Sequence, residues 1–255
     1  MPTTLATDRE FKVVERLLAD RPSFHLGGNA HWASLPETLH SIDDSVRPGD
    51  VTLETGVGAS TVVFAAAGAN HTAISPDPQE HDLVREYCRR IGVDDHQLEF
   101  IAGSSEDVLP SLLSRQRTLD VAFIDGAHSF PFPEVDWCYV TRSLKSGATL
   151  VMDDITIPSV EPLFRHMSLE PNWRLDRVLD DRAAAFTLLR PPNPDDFWPD
   201  QRVNARYPDF GFAPPAQRLK LTAAYRLRQL RHDVARRSPT LARAYKRIQA
   251  SRGTR

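Results

Sequence analysis

The sequence has few cysteines and no long apolar run, and each of these absences argues against a class of protein. Its two cysteines, Cys88 and Cys138, fall in helix-like contexts without metal-ligand spacing, so we expect reduced thiols. The first 18 residues hold no uninterrupted apolar stretch, and no segment approaches the roughly 20 apolar residues that cross a bilayer. We therefore expect a cytoplasmic protein that is neither exported nor membrane-spanning.

Acidic residues are almost missing from the end of the chain. Residues 214–255 carry 12 lysines and arginines and a single acid, Asp233, which gives a net charge of +11. Residues 1–213 carry 19 basic and 33 acidic groups, a net charge of −14. An acidic body argues against nucleic acid as the substrate of the main domain, so no nucleic-acid partner is expected.

A third glycine is missing from a turn that otherwise resembles a nucleotide-binding loop. Residues 54–60 read ETGVGAS and join a β-branched strand to a helix. Dinucleotide loops read G-x-G-x-x-G and offer helix amides to a pyrophosphate, which the carboxylate of Glu54 would repel. Gly56 and Gly58 can adopt positive φ and let a ligand lie against the turn. S-adenosylmethionine fits better, with Glu54, Gly56, Gly58 and Ser60 as candidate cofactor-binding residues.

Strand and helix patterns alternate along residues 48–190, which is typical of a doubly wound parallel sheet. The predicted strands are residues 51–53, 71–75, 97–101, 119–124, 148–152, 173–179 and 183–189. Three residues separate the last two strands, which permits a hairpin and forbids a parallel crossover. We therefore predict a three-layer α/β/α fold whose mostly parallel, seven-stranded sheet is closed by an antiparallel last strand.

Further segments flank this predicted domain. Residues 1–47 hold two predicted helices, at about 8–19 and 36–46, and residues 24–26 and 31–32 between them either cover the acceptor site as a lid or face solvent. Residues 191–215 are rich in proline and predict an extended connection. Residues 216–255 predict a pair of basic amphipathic helices. This tail either packs on the acidic body or a second subunit, or binds anionic lipid or another polyanion.

Three blocks carry a resemblance to a known family. They are residues 54–60 (ETGVGAS), residues 103–112 (GSSEDVLPSL), and residues 120–128 (DVAFIDGAH) taken with 150–154 (LVMDD). From residue 53 to about 155 the chain resembles class I S-adenosylmethionine-dependent methyltransferases, in particular the catechol, caffeoyl-coenzyme A and methyltransferase 24 group. The resemblance implies a Rossmann-like fold and an adenine contact from Ser105 and Glu106. On their own, these two residues would be a helix N-cap and a first-turn acid.

Three aspartates fall at predicted strand ends. Asp125 follows the fourth strand, and Asp153 and Asp154 follow the fifth, so they should converge at the carboxyl edge of the sheet. Clustered carboxylates repel one another unless a positive group lies among them, and Mg²⁺ with oxygen ligands is one solution. The matching positions of catechol enzymes hold Mg²⁺ with Asp, Asp and Asn. The alternative is that Asp125 or Asp153 contacts cofactor, substrate or backbone only.

Two further residues receive roles from the resemblance. His128 stands where catechol enzymes carry their catalytic lysine, and an imidazole is suited to removing a hydroxyl proton, so His128 with Asp125 is the predicted catalytic pair. The acid expected after the second strand, for the ribose hydroxyls, is replaced by Ser75. Asp77 is therefore either the ribose ligand or a simple turn acid.

The combined prediction is a cytoplasmic methyltransferase that acts on a hydroxyl of a small molecule, sugar or natural product, with S-adenosylmethionine and optionally Mg²⁺ as cofactors. Two alternatives belong to other classes: an NAD(P)-dependent oxidoreductase, and a non-catalytic protein that binds S-adenosylmethionine and uses its tail for interaction. The tail predicts either a homodimer or peripheral contact with the inner membrane surface.

Overall fold

The computed structural model describes residues 12–25, 34–113, 118–191, 201–205 and 208–237. The chain divides into two compact units, Met1–Pro192 and Asn193–Arg255.

The first unit contains a seven-stranded sheet with the strand order β3-β2-β1-β4-β5-β7-β6. Its strands are β1 (Val51–Thr55), β2 (Asn70–Ser75), β3 (Leu98–Ala102), β4 (Leu119–Ile124), β5 (Leu144–Met152), β6 (Trp173–Leu179) and β7 (Ala183–Leu188). The first five strands pair in parallel. Their carboxyl ends therefore share one edge of the sheet, where ligands of such folds bind.

The antiparallel last strand is confirmed, but it lies one place in from the edge of the sheet. β7 pairs antiparallel with both β5 and β6, so β6 forms the edge. Side-chain burial explains this order, because five of the six residues of β7 are buried whereas β6 is exposed between its two ends. Exposed Arg174 and Arg177 suit β6 to an edge position.

Seven helices cover the two faces of this sheet within the described residues. They are α1 (Val13–Asp20), α2 (Pro36–Ser45), α3 (Ala59–Ala66), α4 (Pro78–Ile91), α5 (Ser105–Leu113), α6 (Phe132–Val140) and α7 (Glu161–Leu169). One apolar cluster contains side chains from each of the helices α1 through α4 together with Val121 and Phe123 of β4. The other contains side chains from α5 through α7 together with Ala122 and Ile124 of β4. Alternate residues of β4 thus face opposite layers, which confirms the three-layer fold.

Two element predictions differ from the structure. The fifth strand was predicted over residues 148–152, but β5 begins at Leu144, which pairs with Leu119, because α6 already ends at Val140. The helix α7 was not predicted, although Leu163 and Met167 lie four residues apart and are both buried on it. The predicted start of the first helix, residues 8–11, lies outside the described residues.

The second unit contains a short 3₁₀ helix, Arg202–Ala205, and one long helix, α8 (Pro215–Arg237). The Tyr225 hydroxyl donates a hydrogen bond to the carbonyl oxygen of Asn204 at 2.8 Å, and the Gln229 amide donates to the same oxygen at 3.0 Å. Another face of α8 carries exposed apolar side chains, with Leu219 74% and Leu230 60% exposed. The predicted second tail helix lies outside the described residues.

None of the helices that the structure describes combines the length and the apolar character needed to span a membrane.

Candidate active site

The glycine turn after β1 touches the end of β4. Gly56 has φ +113°, and a Cβ on it would come within 2.6 Å of the carbonyl oxygen of Asp125, so only glycine fits there. Gly58 has φ 174°, which is extended backbone open to any residue, so the prediction of a positive φ holds for Gly56 alone. The turn therefore lies directly beside the first predicted catalytic aspartate.

The side chain of Glu54 lies beneath this turn and is 1% exposed. Ser60 donates its hydroxyl to Oε2 at 2.6 Å, and Thr61 donates a short hydrogen bond to Oε1. The hydroxyl of Thr61 in turn accepts the Gly58 backbone N–H at 2.9 Å. Glu54 and Ser60 were predicted to contact the cofactor, but the structure turns them toward each other, so they shape the turn from below.

His71 completes the surroundings of Glu54 and was missed by the sequence analysis. Its Nε2 lies 3.1 Å from Oε1 of Glu54, and its Nδ1 lies 2.8 Å from the hydroxyl of Thr52. The ring also stacks on Phe64, with 4.2 Å between centroids. A histidine at the start of a predicted strand was the available signal, because a buried polar side chain needs a partner.

Asp77 caps a helix, and a different acid reaches the end of β2. The Asp77 carboxylate accepts the Gln79 backbone N–H at 2.9 Å, which makes it the N-cap of α4. Glu80, in the first turn of that helix, accepts the Ser75 hydroxyl at 2.7 Å. The helix α4 thus brings the carboxylate of Glu80 to the end of β2, where the sequence has Ser75 and the family resemblance implies an acid.

The segment before α2 reaches this same region. His25 Nδ1 lies 2.9 Å from Oε1 of Glu80, and its Nε2 would lie 3.8 Å from a Cβ on Gly58. Phe24 is buried and meets the ring of Tyr87 edge-on at 5.5 Å. His25 therefore lies between the glycine turn and Glu80. The rest of the predicted lid, residues 26 and 31–32, lies outside the described residues.

Ser105 and Glu106 lie in the first turn of α5, as predicted. Ser104 precedes them, and its carbonyl oxygen accepts the Val108 N–H at 3.1 Å, so Ser104 and not Ser105 occupies the capping position. Ser105 is buried and Glu106 is partly exposed, so the two side chains differ in how freely a ligand can reach them.

Asp136 on α6 lies next to Ser105 and was also missed. It is 1% exposed, and neither carboxylate oxygen reaches hydrogen-bonding geometry with a partner. Burial raises its pKa to about 6, although the hydroxyls of Ser105 and Thr55 act to lower it. A Cβ on Gly126 would come within 3.0 Å of Oδ2. Asp136 therefore lies against both the loop that follows β4 and the first turn of α5.

The three predicted aspartates converge at the carboxyl edge of β4 and β5. The Asp125 N–H donates to the carbonyl oxygen of Thr55, and the Asp153 N–H donates to that of Ile124. Burial raises the pKa of Asp125 well above its usual range, with a further rise from the charge of Asp153. Burial also raises the pKa of Asp153, and in both cases Arg182 opposes the rise. The site thus holds crowded carboxylates and one cation.

Arg182 is that cation, and the sequence analysis did not identify it. Its Nε donates to Oδ1 of Asp154 at 2.8 Å, and its terminal nitrogen donates to Oδ2 of Asp153 at 3.0 Å. It lies at the end of the turn between β6 and β7, so only the observed strand order brings it to the ends of β4 and β5. The prediction that a positive group lies among the carboxylates is met by a side chain.

His128 lies between two of the three aspartates. Its Nε2 is 3.6 Å from Oδ1 of Asp125 and 3.4 Å from Oδ2 of Asp154, and this atom is buried without a hydrogen bond. Ser159 donates a short hydrogen bond to the His128 carbonyl oxygen. Both ring nitrogens of a histidine can take part in proton transfer, and carboxylates beside one of them favour the proton there.

The oxygen atoms of the aspartates do not form the predicted magnesium site in this structure. Within the described parts of the chain, one group alone brings three carboxylate or imidazole ligand atoms within 4.8 Å of one another, and it consists of exposed Asp94 and His96 with the partly buried Asp95. In the active-site cluster, Asp153 and Asp154 each direct an oxygen to Arg182. Carboxylate oxygens are the kind of ligand that Mg²⁺ prefers, but here the oxygens are arranged to bind a guanidinium.

Residues 53–155 are similar to a known protein family. Residues 53–155 match the family model Methyltransf_24, described as a methyltransferase domain. The human protein named transmembrane O-methyltransferase is 30% identical over 169 residues, which cover 57% of this chain and 56% of that protein. The chain thus spans a little over half the length of this curated relative.

Two solved structures show the same fold. Cofactor-bound Rv0187 from MTB has a TM-score of 0.52 at 20% identity, over 73% of this chain and 93% of that one. The S-adenosylmethionine-dependent O-methyltransferase TM0748 from Thermotoga maritima has a TM-score of 0.53 at 13% identity, over 73% of this chain and 74% of that one. Residues 53–155 are therefore similar to the methyltransferase domains of the Methyltransf_24 family, and the first unit has the Rossmann-like α/β fold of class I methyltransferases.

Proposed function

We propose that the protein is an S-adenosylmethionine-dependent O-methyltransferase that acts on a hydroxyl group of a small molecule, sugar or natural product. The position of His128 carries this proposal. Its ring lies between Asp125 and Asp154 at the carboxyl edge of the sheet, and Asp125 touches the glycine turn through its carbonyl oxygen. A base at this edge of the sheet would lie beside the transferable methyl group of a cofactor bound at the turn.

The cofactor is held by groups on three strand ends. The backbone around Gly56 receives the methionine part, because no side chain intervenes there. Glu80 replaces Asp77 as the carboxylate for the ribose hydroxyls, since Asp77 is committed to capping α4 and Glu80 is held at the end of β2 by Ser75. Ser105 and Glu106 remain the predicted adenine contacts.

The chemistry is a transfer between sulfur and oxygen. When bound, S-adenosylmethionine supplies an electrophilic methyl group on a positively charged sulfur. A hydroxyl that accepted this methyl group through its oxygen would release its proton, while the electron pair of the broken carbon–sulfur bond would stay on sulfur. His128 takes that proton at Nδ1, because Nε2 faces two carboxylates and keeps its own proton.

The charge that His128 gains is balanced by Asp125 and Asp154, which already flank its ring. Alignment of the acceptor oxygen with the methyl carbon contributes the rest of the rate. Two expected ligands of the divalent cation that the family resemblance implies, Asp153 and Asp154, are bound to Arg182.

The dehydrogenase alternative is disfavoured by the methyltransferase family match and by the missing third glycine of the turn. The identity of the acceptor stays a prediction, as do the cytoplasmic location and the partner of the tail. Cys88 and Cys138 are free thiols, which supports a reducing compartment.

Calorimetry with S-adenosylhomocysteine, followed by a methylation screen of phenols and sugar hydroxyls detected by mass spectrometry, tests the proposal. We expect binding by the wild-type protein and by His128→Ala, with transfer reduced by roughly 10²- to 10⁴-fold in the variant alone. His96→Ala, which changes an exposed histidine, is the matched control. No binding of S-adenosylhomocysteine would overturn the proposal, and binding with equal transfer by His128→Ala would remove the assigned base.

A further inference from the structure

One guanidinium bridges two carboxylates at the end of β5. Arg182 donates to Asp154 at 2.8 Å and to Asp153 at 3.0 Å, and its side chain is 21% exposed. Hydrogen bonds between ionised groups are among the strongest in proteins, and the planar guanidinium can serve two acceptors at once. The acidic cluster therefore already contains its counter-charge as part of the chain.

The backbone of Arg182 is fixed on both sides. Its N–H donates to the carbonyl oxygen of Leu179 at 3.0 Å, and its own carbonyl oxygen accepts the Ile155 N–H at 2.8 Å. Two residues earlier, the Asp180 carboxylate accepts the Thr38 N–H at 3.1 Å, which ties the turn to α2. Arg182 is thus delivered to the site by an anchored turn.

Asp154 connects Arg182 to the proposed base. One of its carboxylate oxygens accepts from Arg182, and the other lies 3.4 Å from Nε2 of His128. Asp154 has φ +55°, a left-handed conformation that non-glycine residues seldom adopt, and its N–H donates to Oδ1 of Asp153 at 2.7 Å. Arg182 therefore holds Asp154 in the orientation that faces His128.

A divalent cation needs a different arrangement of the same oxygen atoms. Mg²⁺ requires near-octahedral ligands at about 2.0–2.1 Å, all directed at one point. Asp153 and Asp154 each direct one oxygen at the guanidinium, so Mg²⁺ could bind there only after Arg182 had moved away. A guanidinium and a metal ion therefore compete for this place.

We infer that Arg182 takes the place of a divalent cation in this active site, so that methyl transfer proceeds without a bound metal. This inference rests on the proposed function for its catalytic part, and Arg182 acts in it as a positioning residue, through Asp154 on His128. The metal-binding part stands on the geometry alone, and it predicts a latent Mg²⁺ site that appears when the guanidinium is removed.

Calorimetric titration of the purified full chain with MgCl₂ tests the latent site without cofactor or acceptor. We expect no binding by the wild-type protein and binding of one ion by Arg182→Ala, lost again in Arg182→Ala combined with Asp153→Asn. Arg174→Ala, which removes an exposed arginine of β6, is the matched control and should behave as wild type. If Arg182→Ala does not fold, Arg182→Gln keeps most of the side-chain volume and is titrated in its place.

Two results would overturn the inference. One is binding of Mg²⁺ by the wild-type protein that is lost in Asp153→Asn, since the guanidinium would then not exclude the metal. The other is no binding by any of the variants, since the carboxylates freed of Arg182 would then not form a cation site. Neither result depends on S-adenosylhomocysteine, so failure here is distinguishable from failure of the proposed function.

Once an acceptor has been found, a rescue experiment tests the catalytic part. Transfer by the wild-type protein should be unchanged by EDTA, whereas transfer by Arg182→Ala should fall at least tenfold and recover in part with millimolar MgCl₂. An Arg182→Ala variant with wild-type kcat would remove the positioning role, and loss of wild-type transfer in EDTA would restore the metal.

Discussion

His71 Nε2 lies 3.1 Å from Oε1 of Glu54, which places a histidine of β2 against the buried carboxylate beneath the glycine turn. Neither side chain is open to solvent, so both need polar partners within the protein, and each provides one for the other. This contact gives Glu54 a structural role in the fold that does not depend on a bound ligand.

Glu54→Ala should therefore destabilise the protein as well as weaken cofactor binding. The change leaves Ser60, Thr61 and His71 without their acceptor, and each unsatisfied buried group costs roughly 1–3 kcal/mol. We expect the free energy of unfolding in urea to fall by about 3 kcal/mol or more, against about 1 kcal/mol for Ser60→Ala. Wild-type stability with lost S-adenosylhomocysteine binding would instead make Glu54 a direct ligand.

Substitutions at Asp77 and Glu80 separate helix capping from ribose binding. Asp77→Ala should cost about 1 kcal/mol of unfolding free energy through the lost N-cap, and Asp77→Ser should restore it. Neither change should alter the Kd for S-adenosylhomocysteine by more than about twofold.

Glu80→Gln, by contrast, should raise that Kd roughly tenfold, because a hydrogen bond to a charged group is worth about 1.5–3 kcal/mol. Calorimetry on the three variants checks both expectations. A raised Kd in Asp77→Ser with an unchanged Kd in Glu80→Gln would return the ribose role to Asp77.

The convergence of Asp125, Asp153, Asp154 and His128 could be predicted because it follows from local rules. Parallel strands end at a common edge, and each of these residues follows a strand that its β-branched pattern identifies. The hairpin of β6 and β7 could be predicted for a similar reason, since three residues leave room for no other connection.

The residues that the sequence analysis missed depend on tertiary order. Arg182 reaches the aspartates only because β7 inserts between β5 and β6, and nothing local to its turn indicates that insertion. His71 meets Glu54 through the register that pairs Thr52 with His71 across β1 and β2. Asp136 is buried by packing of α6 on neighbouring elements, which a helix of nine residues does not reveal by itself.

The exposed face of α8 predicts binding to anionic membranes. Leu219 and Leu230 are largely exposed, and residues 215–237 carry seven basic side chains and one acid. Basic helices with an apolar face bind the interface of anionic bilayers, with a strength that falls as salt rises. The full chain should therefore co-sediment with phosphatidylglycerol-containing vesicles at low salt, and Leu219→Ser with Leu230→Ser should reduce this.

Vesicles of phosphatidylcholine alone are the lipid control for this prediction, and Gln217→Ser is the control variant on the same helix. A chain that ignores both kinds of vesicle but sediments as a dimer, and becomes a monomer on the double leucine substitution, would assign the face to self-association.

Asp136→Asn should stabilise the protein, and by an amount that depends on pH. The pKa of Asp136 is raised by burial from 3.8 to about 6, so the folded state favours the protonated carboxyl. The contribution of this group to stability is complete below pH 3.8 and is lost as pH rises through about 6, because the carboxylate is then charged while buried away from water. A shift of about two units corresponds to roughly 3 kcal/mol.

The neutral amide introduced by Asp136→Asn escapes that loss, so the variant should exceed the wild type in unfolding free energy by up to about 3 kcal/mol at pH 8 and by little at pH 4. Urea unfolding at the two pH values measures the difference, with Glu86→Gln on the exposed side of α4 as control.

The same difference in unfolding free energy at both pH values would mean that Asp136 does not titrate in this range. A destabilised variant at pH 8 would mean that the carboxylate has a partner that the amide cannot replace. Because Asp136 lies beside Ser105 and Gly126, the experiment also reports whether the start of α5 lies against a charged or a neutral group.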